Sequence, residues 1–265
     1  MDRKELLNSY VIPIVVVAVI MISLYAYAGN WPPMVVVKSG SMMHDDTSHF
    51  GTLDIGDLTI VKKTSKIVTY VEGRATGHRS FGDFGDVVVY RPDGSTSRIP
   101  IIHRALIFVE WRGDHFAAPS LALLRNGKDW VSETNDYSNL GSYLIIKKVG
   151  PSGRDLLVDL SGIPHESGYL TFGDHNLITS TSKGKVPQGE GYLAVDQNIG
   201  ISRHPVHEEW IVGKARGEIP WMGLMKLYVR GEVPPNTPTR SKAGFWTVIA
   251  IIVFAVVFPS VRKRK

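Results

Sequence analysis

Two serines in a short glycine turn are the first residues whose type and setting could do chemistry. Ser39 and Ser41 flank Gly40, directly after the apolar run at residues 35–37. Glycine admits backbone conformations that a side chain forbids, so such a turn can expose a hydroxyl beside backbone N–H groups. Acyl transfer needs an attacking oxygen together with donors for the oxyanion. The same sequence is also typical of an ordinary loop. A serine nucleophile further requires a base to take its proton.

A histidine inside a strand pattern is the candidate base. Residues 99–109 are typical of a strand, and a period of two places His103 on one face with Ile101 and Ala105. A neutral imidazole can accept the serine proton near neutral pH. The alternative is a hydrogen-bonded core histidine, so His103 by itself does not establish a site.

Composition excludes several kinds of chemistry. The 265 residues include no cysteine, which rules out disulfides, thiolate zinc sites and cysteine nucleophiles. The net charge of +5 includes four charges at residues 262–265, so we expect no nucleic-acid partner. Residues 44–49 and the pair His204 and His207 contain ligand-type side chains without a clear third ligand. We interpret them as solvated loops and predict no metal and no cofactor.

The middle of the chain predicts strands, and its ends are apolar. Short apolar runs alternate with Gly, Pro, Asp and Ser, and no stretch of the middle has an apolar period of 3.6 residues. Residues 11–28 would span about 27 Å as a helix, which favours a membrane anchor over a signal peptide cleaved after Ala28. Residues 244–261 precede a basic tail and favour a second span over a buried or amphipathic helix. The predicted fold class is therefore mainly β, with one transmembrane helix at each end.

Several short motifs occur in an order that resembles a known enzyme family. They are SGSM at residues 39–42, IGDLTIV at 55–61, GDVVVYRP at 85–92, IPIIHR at 99–104, YLTFGDHN at 169–176 and IVGKARGEIPWMG at 211–223. Together they resemble type I signal peptidases, in the archaeal and endoplasmic-reticulum branch whose base is a histidine. The resemblance covers about residues 31–110 and 168–230. It implies an antiparallel β, signal-peptidase-like catalytic domain.

The resemblance also implies residue roles. Ser41 would be the nucleophile and His103 the general base, while Ser39 and the Ser41 N–H would stabilise the oxyanion. The substrate would add as a strand beside residues 34–38, where Met34 and Val36 would contact it, as would Met42 after the serine.

Two departures from the family pattern leave the acid and the base open. The family commonly has proline where this chain has His44, which makes His44 a rival base. Asp174 fits the first aspartate of the family, but residues 179–181 are Thr-Ser-Thr where the second is expected. We interpret residues 180–190 as an inserted loop that delays the second aspartate to Asp196. Asp196 is then predicted to be the catalytic acid and Asp174 a supporting residue.

The resemblance and the apolar ends together predict the organisation of the chain. Residues 1–10 would be a cytoplasmic N-terminus, 11–28 a transmembrane helix, and 29–230 an extracytoplasmic β peptidase domain with an inserted lobe at 111–168. A linker at 231–243, a second transmembrane helix at 244–261 and a basic cytoplasmic tail at 262–265 would follow. The predicted location is the cell membrane, with two spans.

The predicted function is a membrane-bound serine endopeptidase that removes signal peptides from exported preproteins. Its expected partners are those preprotein signal peptides, membrane lipid and the protein-export machinery. Two alternatives stay open: a catalytically inactive, membrane-anchored peptide-binding β-domain, and a related peptidase that processes another class of precursor.

Overall fold

A computed structural model describes residues 7–262 of the chain. Residues 1–6 of the predicted cytoplasmic N-terminus and residues 263–265 of the predicted basic tail lie outside the described residues. Within the described part, a π-helical turn at Leu7–Val11 precedes α1 (Ile12–Ala28). The later α-helices are α2 (Tyr70–Thr76), α3 (Asp174–Thr179), α4 (Leu224–Arg230) and α5 (Thr239–Arg262).

The strands of the described residues are mostly short and rich in β-branched and aromatic side chains. They are β1 (Met34–Val36), β2 (Leu58–Lys62), β3 (Arg79–Ser80), β4 (Asp83–Phe84), β5 (Val87–Tyr90), β6 (Ile101–Trp111), β7 (Phe116–Ala117), β8 (Trp130–Ser132), β9 (Tyr143–Val149), β10 (Arg154–Asp159), β11 (Gly168–Phe172), β12 (Lys183–Val186), β13 (Gly189–Leu193) and β14 (Ile211–Ile219).

Two sheets build the fold. The first has the strand order β1-β2-β14-β5-β6-β11, with β7 paired to β6, and all of its pairs are antiparallel. The second has the order β12-β13-β10-β9-β8, in which β10 and β13 are parallel. Strands β3 and β4 form a separate hairpin. Strand β1 is therefore an edge of the first sheet.

Local signals in the sequence delimit the second helix. Thr69 accepts a hydrogen bond from the Glu72 N–H, and the Glu72 carboxylate accepts one from the Thr69 N–H, which is a capping box. At the other end, Gly77 takes the left-handed conformation with φ of 81° and closes the helix. The buried face of α2, with Tyr70 and Val71, packs into the main core.

The main hydrophobic core joins the two sheets. It combines Leu106 and Leu170 of the first sheet with Leu144 and Leu156 of the second, all fully buried. Residues 111–168, predicted as an inserted lobe, supply β8, β9 and β10 and pack into this shared core. Residues 180–190, predicted as an inserted loop, contain β12 and the start of β13, which extend the second sheet.

The predicted mainly β fold class is wrong. Helices occupy 28% of the chain and strands 29%, so the fold is mixed α/β with antiparallel sheets. Helices α2, α3 and α4 contain only six or seven residues each. Two turns are too few to repeat an apolar period of 3.6 residues, which is why the sequence pattern missed them.

The predicted pair of membrane spans, and the cell-membrane location inferred from it, is also wrong. None of the helices within residues 7–262 combines the length and the apolar character needed to cross a bilayer. The regular helix α1 has 17 residues, which makes it about 26 Å long against a hydrocarbon core of about 30 Å. Helix α5 begins with a charged segment that contains Arg240 and Lys242.

Candidate active site

A turn after the edge strand β1 presents Ser41. The Met43 N–H donates to the Gly40 carbonyl at 3.0 Å and closes the turn. The side chains of Met42 and Met43 are buried and anchor the turn from below. Its other side is held by α3, because the His175 N–H donates to the Ser41 carbonyl at 2.9 Å. The half-buried Ser41 side chain faces His103 on strand β6.

The structure brings Ser41, His103 and Asp196 into one line of hydrogen bonds. His103 Nε2 lies 2.9 Å from Ser41 Oγ, and His103 Nδ1 lies 2.8 and 2.7 Å from the two carboxylate oxygens of Asp196. The Nδ1–H therefore donates to Asp196, which leaves Nε2 free to accept the serine hydroxyl proton. His103 and Asp196 are both buried.

Two residues that were not predicted from the sequence donate hydrogen bonds to Asp196. The Tyr90 hydroxyl donates to Asp196 Oδ2 at 2.7 Å, and the Thr171 hydroxyl donates to the same oxygen at 2.6 Å. Burial and the Asp196 charge raise the pKa of Tyr90 well above its ordinary value, so its hydroxyl keeps its proton. A polar Thr171 in the otherwise apolar run at residues 169–172 was the one available signal in the sequence.

Asp174 lies in a separate ion pair. The Arg104 guanidinium donates to both carboxylate oxygens of Asp174, at 2.8 and 2.6 Å, and all of these atoms are buried. His44 Nε2 lies 3.1 Å from the same carboxylate, so the rival base His44 faces Asp174. Burial acts to raise the pKa of Asp174, but Arg104 and His44 hold it below its ordinary value. This pair ties β6, next to His103, to the first turn of α3.

The two predicted oxyanion donors contact each other. The Ser41 N–H donates to Ser39 Oγ at 3.2 Å. The Ser39 side chain is exposed at the mouth of the site, and its hydroxyl proton stays available for a substrate oxygen. Met42 also lines the cleft, but it is 2% exposed and packs with Val37 and Leu53, so its main contribution is to anchor the turn.

A cleft of about 800 Å³ opens in front of Ser41 and His103. Strand β1 forms one wall with Met34 and Val36, and residues 99–102 form another. The α4 side adds charged side chains, which are Lys226, Arg230 and Glu232. The cleft is therefore a mainly apolar channel that runs along an unpaired strand edge and ends at the serine.

The other histidines named from the sequence lie within hydrogen-bond distance of surface carboxylates. His204 Nδ1 and His207 Nε2 both lie 3.1 Å from Glu166 Oε2, while His49 pairs with Asp45. Within residues 7–262, no group of three or more His, Asp or Glu side chains is arranged to hold a metal ion.

Neither family models nor curated sequences identify a family for this chain. No protein-family model matches it, and no curated protein is significantly similar to it in sequence. Its function must therefore be inferred from the chemistry of the site.

Proposed function

We propose that this protein is a serine endopeptidase that cleaves extended peptide segments through an acyl-enzyme on Ser41. The observation that carries the proposal is the hydrogen-bonded line from Ser41 through His103 to Asp196. A buried imidazole held by a buried carboxylate on one nitrogen, with a serine on the other, is the arrangement that activates serine hydroxyls. Its position in the wall of an open cleft gives a peptide access to the hydroxyl.

The steps follow from the positions of these groups. Ser41 Oγ bonds to the scissile carbonyl carbon while its proton passes to His103 Nε2, and the carbonyl oxygen takes the displaced electron pair. The C–N bond then breaks, and His103 returns the proton to the leaving amine. A water molecule attacks the resulting ester, with His103 again taking and returning a proton. Peptide acid is released and Ser41 is restored.

The edge strand supports a peptide in extended form as the substrate. A peptide that adds beside β1 would gain main-chain hydrogen bonds, and alternate side chains would enter the apolar cleft. The motifs that resemble type I signal peptidases add support for one substrate class. We therefore propose the signal peptides of exported preproteins as the peptides that are cleaved.

Cleavage of a purified preprotein tests this function. Wild-type protein should release the signal peptide at one bond, identified by mass spectrometry, and Ser41→Ala should abolish the cleavage. Ser97→Ala, an exposed serine, is the matched control and should cleave normally. Equal cleavage by Ser41→Ala would contradict the mechanism. Binding without cleavage by the wild type would indicate the inactive peptide-binding alternative, and cleavage only of other precursors would indicate the alternative substrate class.

A further inference from the structure

We propose that Asn176 is a further catalytic residue, whose side-chain amide donates a hydrogen bond to the oxyanion formed at Ser41. The inference deepens the proposed function and depends on it. Asn176 lies on α3, the helix whose first turn holds the Ser41 carbonyl. Its side chain lines the same cleft as Ser39, Ser41 and His103.

The surroundings of Gly173 place the Asn176 amide among the reacting groups. A Cβ atom added to Gly173 would lie 2.9 Å from Asn176 Nδ2, 3.0 Å from His103 Nε2 and 2.6 Å from the Ser41 carbonyl oxygen. These three atoms therefore converge on a single point beside the glycine. The Asn176 amide therefore lies close to His103 Nε2, the atom that contacts Ser41 Oγ.

The Asn176 amide is also free to act. Among residues 7–262 its side chain makes no hydrogen bond to another protein group, although it is half-buried. One of the two oxyanion donors expected from sequence is already engaged, because the Ser41 N–H donates to Ser39 Oγ. A substrate oxygen would have to compete for that N–H, whereas the Asn176 N–H groups require no such exchange.

The chemistry at this point favours a neutral N–H donor. When Ser41 Oγ bonds to the scissile carbon, the electron pair of the carbonyl moves onto its oxygen. A fixed amide donor stabilises this charge in the transition state more than it stabilises the neutral carbonyl. Its loss should therefore reduce kcat and leave KM nearly unchanged.

Steady-state kinetics of three variants test the inference. Removal of a side-chain oxyanion donor reduces kcat by about 100-fold or more in serine peptidases, and we expect a loss of this size in Asn176→Ala with little change in KM. Asn176→Asp keeps the shape but places a charge beside the oxyanion, so its loss should be larger. Asn126→Ala, an exposed asparagine that does not line the cleft, is the control and should keep full activity. Thermal unfolding of each variant verifies that the fold is retained.

A transition-state analogue separates this role from a structural one. A peptide boronic acid that forms a tetrahedral adduct with Ser41 should bind Asn176→Ala about 100-fold more weakly than it binds the wild type. A substrate peptide is not cleaved by Ser41→Ala, and it should bind this variant and the double variant Ser41→Ala/Asn176→Ala with equal affinity. Unchanged kcat in both Asn176 variants, or equal losses for boronic acid and substrate peptide, would overturn the inference. If Ser41→Ala abolishes cleavage in that case, the proposed function still stands.

Discussion

At the scale of single residues, the Asp196 carboxylate accepts two hydrogen bonds that hold it in place and one from the His103 imidazole. A buried carboxylate is costly unless its lone pairs are satisfied, and Asp196 receives hydrogen bonds from His103, Tyr90 and Thr171. Two of these donors keep the carboxylate in place, and the third is the imidazole whose tautomer it sets. The nearby Asp174 is equally buried, but both of its oxygens bind Arg104. We therefore expect Asp196 to act in the proposed catalysis and Asp174 to contribute mainly to stability.

Replacing Asp196 with asparagine should remove most of the activity and leave the fold intact. The amide keeps the size of the side chain, but its NH₂ group favours the wrong imidazole tautomer, for which kcat falls by about 10⁴-fold in comparable triads. The measurement is kcat of Asp196→Asn with a peptide substrate, accompanied by thermal unfolding. A variant that keeps more than a tenth of wild-type kcat would contradict the role of Asp196.

Replacing Asp174 with asparagine should instead act on stability. The change removes the ion-pair partner of the buried Arg104, and breaking a buried ion pair in this way costs about 3–5 kcal/mol. Unfolding by urea at neutral pH should show this loss in Asp174→Asn. If the free energy of unfolding is unchanged while kcat falls as far as in Asp196→Asn, the separation between the two aspartates is wrong.

Gly173→Ala tests how closely the site is packed. The new Cβ would lie 2.6 Å from the Ser41 carbonyl oxygen and 3.0 Å from His103 Nε2, so the turn or the imidazole must move. A displacement of the reacting groups by about 1 Å costs on the order of 100-fold in rate, and we expect kcat to fall by that factor. Gly162→Ala, where an added Cβ meets no atom within 4 Å, is the control. Equal kcat in both variants would contradict the packing argument.

At the scale of elements, β1 has one paired and one open edge. The Val61 N–H donates to the Pro33 carbonyl, and the Val37 N–H donates to the Asp57 carbonyl. Because antiparallel ladders alternate, the odd-numbered residues of β1 face β2. The backbone groups of Met34 and Val36 therefore point to the open edge, where a peptide could pair with them.

Val36→Pro tests strand addition at this edge. Proline removes the outward N–H and is tolerated on edge strands, so pairing with β2 should survive. Loss of one hydrogen bond of about 0.5–1.5 kcal/mol should raise KM about 2- to 12-fold, with a smaller effect on kcat. Val36→Ala shortens the same side chain but keeps the N–H, so it separates the backbone contribution. Equal KM values for the two variants would count against pairing at Val36.

Local patterns singled out Ser41 and His103, and the family resemblance singled out Asp196. Neither pointed to the two hydroxyls that hold Asp196. Ser41 follows a strand and a glycine, and His103 interrupts an apolar period, so both were visible locally. Tyr90 is 106 positions from Asp196 in the chain, and only the tertiary fold brings it to the carboxylate. The same limit explains the parallel pairing of β10 with β13, since pairing between distant strands leaves no mark on either strand alone.

At the scale of the whole molecule, the site joins the two sheets. Ser41 follows β1 of the first sheet, and Asp196 follows β13 of the second. Strands β1 and β6 are separated by three strands in the first sheet, yet Ser41 and His103 are in hydrogen-bond contact, so that sheet must curl. The core shared by both sheets contains Ala194 and Val195, directly before Asp196, and Leu106 on the strand that carries His103.

A group of carboxyls outside the site links the segment after the Ser41 turn to β14 and the residues that follow it. Glu218 accepts a hydrogen bond from the Gly51 N–H, and Asp57 accepts hydrogen bonds from the backbone N–H groups of Trp221 and Asp54. Burial raises the pKa of Asp57 to about 7, despite these hydrogen bonds. Burial and the Asp54 charge raise the pKa of Glu218 to about 7 as well.

These raised pKa values predict that the protein becomes less stable as pH rises from about 4 to about 7. Over this range the native state retains protons on Asp57 and Glu218 that the unfolded chain, with ordinary carboxyl pKa values near 4, has already released. The stability that they contribute is complete below the unfolded pKa and is lost as pH passes the native pKa. Urea unfolding at pH 5, 6, 7 and 8 measures the slope.

A comparison of wild type with Glu218→Gln measures the contribution of this one carboxyl, because every other group that titrates in the same range is present in both proteins. Glutamine keeps the acceptor for the Gly51 N–H and places a neutral NH₂ at the oxygen that has no partner in the described part of the chain. The decline in the free energy of unfolding between pH 5 and 8 should therefore be shallower in Glu218→Gln than in the wild type. Glu133→Gln is the matched control: a hydrogen bond from Ser142 lowers the pKa of Glu133, so its titration lies below this range. Identical pH slopes for wild type and Glu218→Gln would show that Glu218 is already ionised in the native state, because only a proton retained on folding can produce the difference.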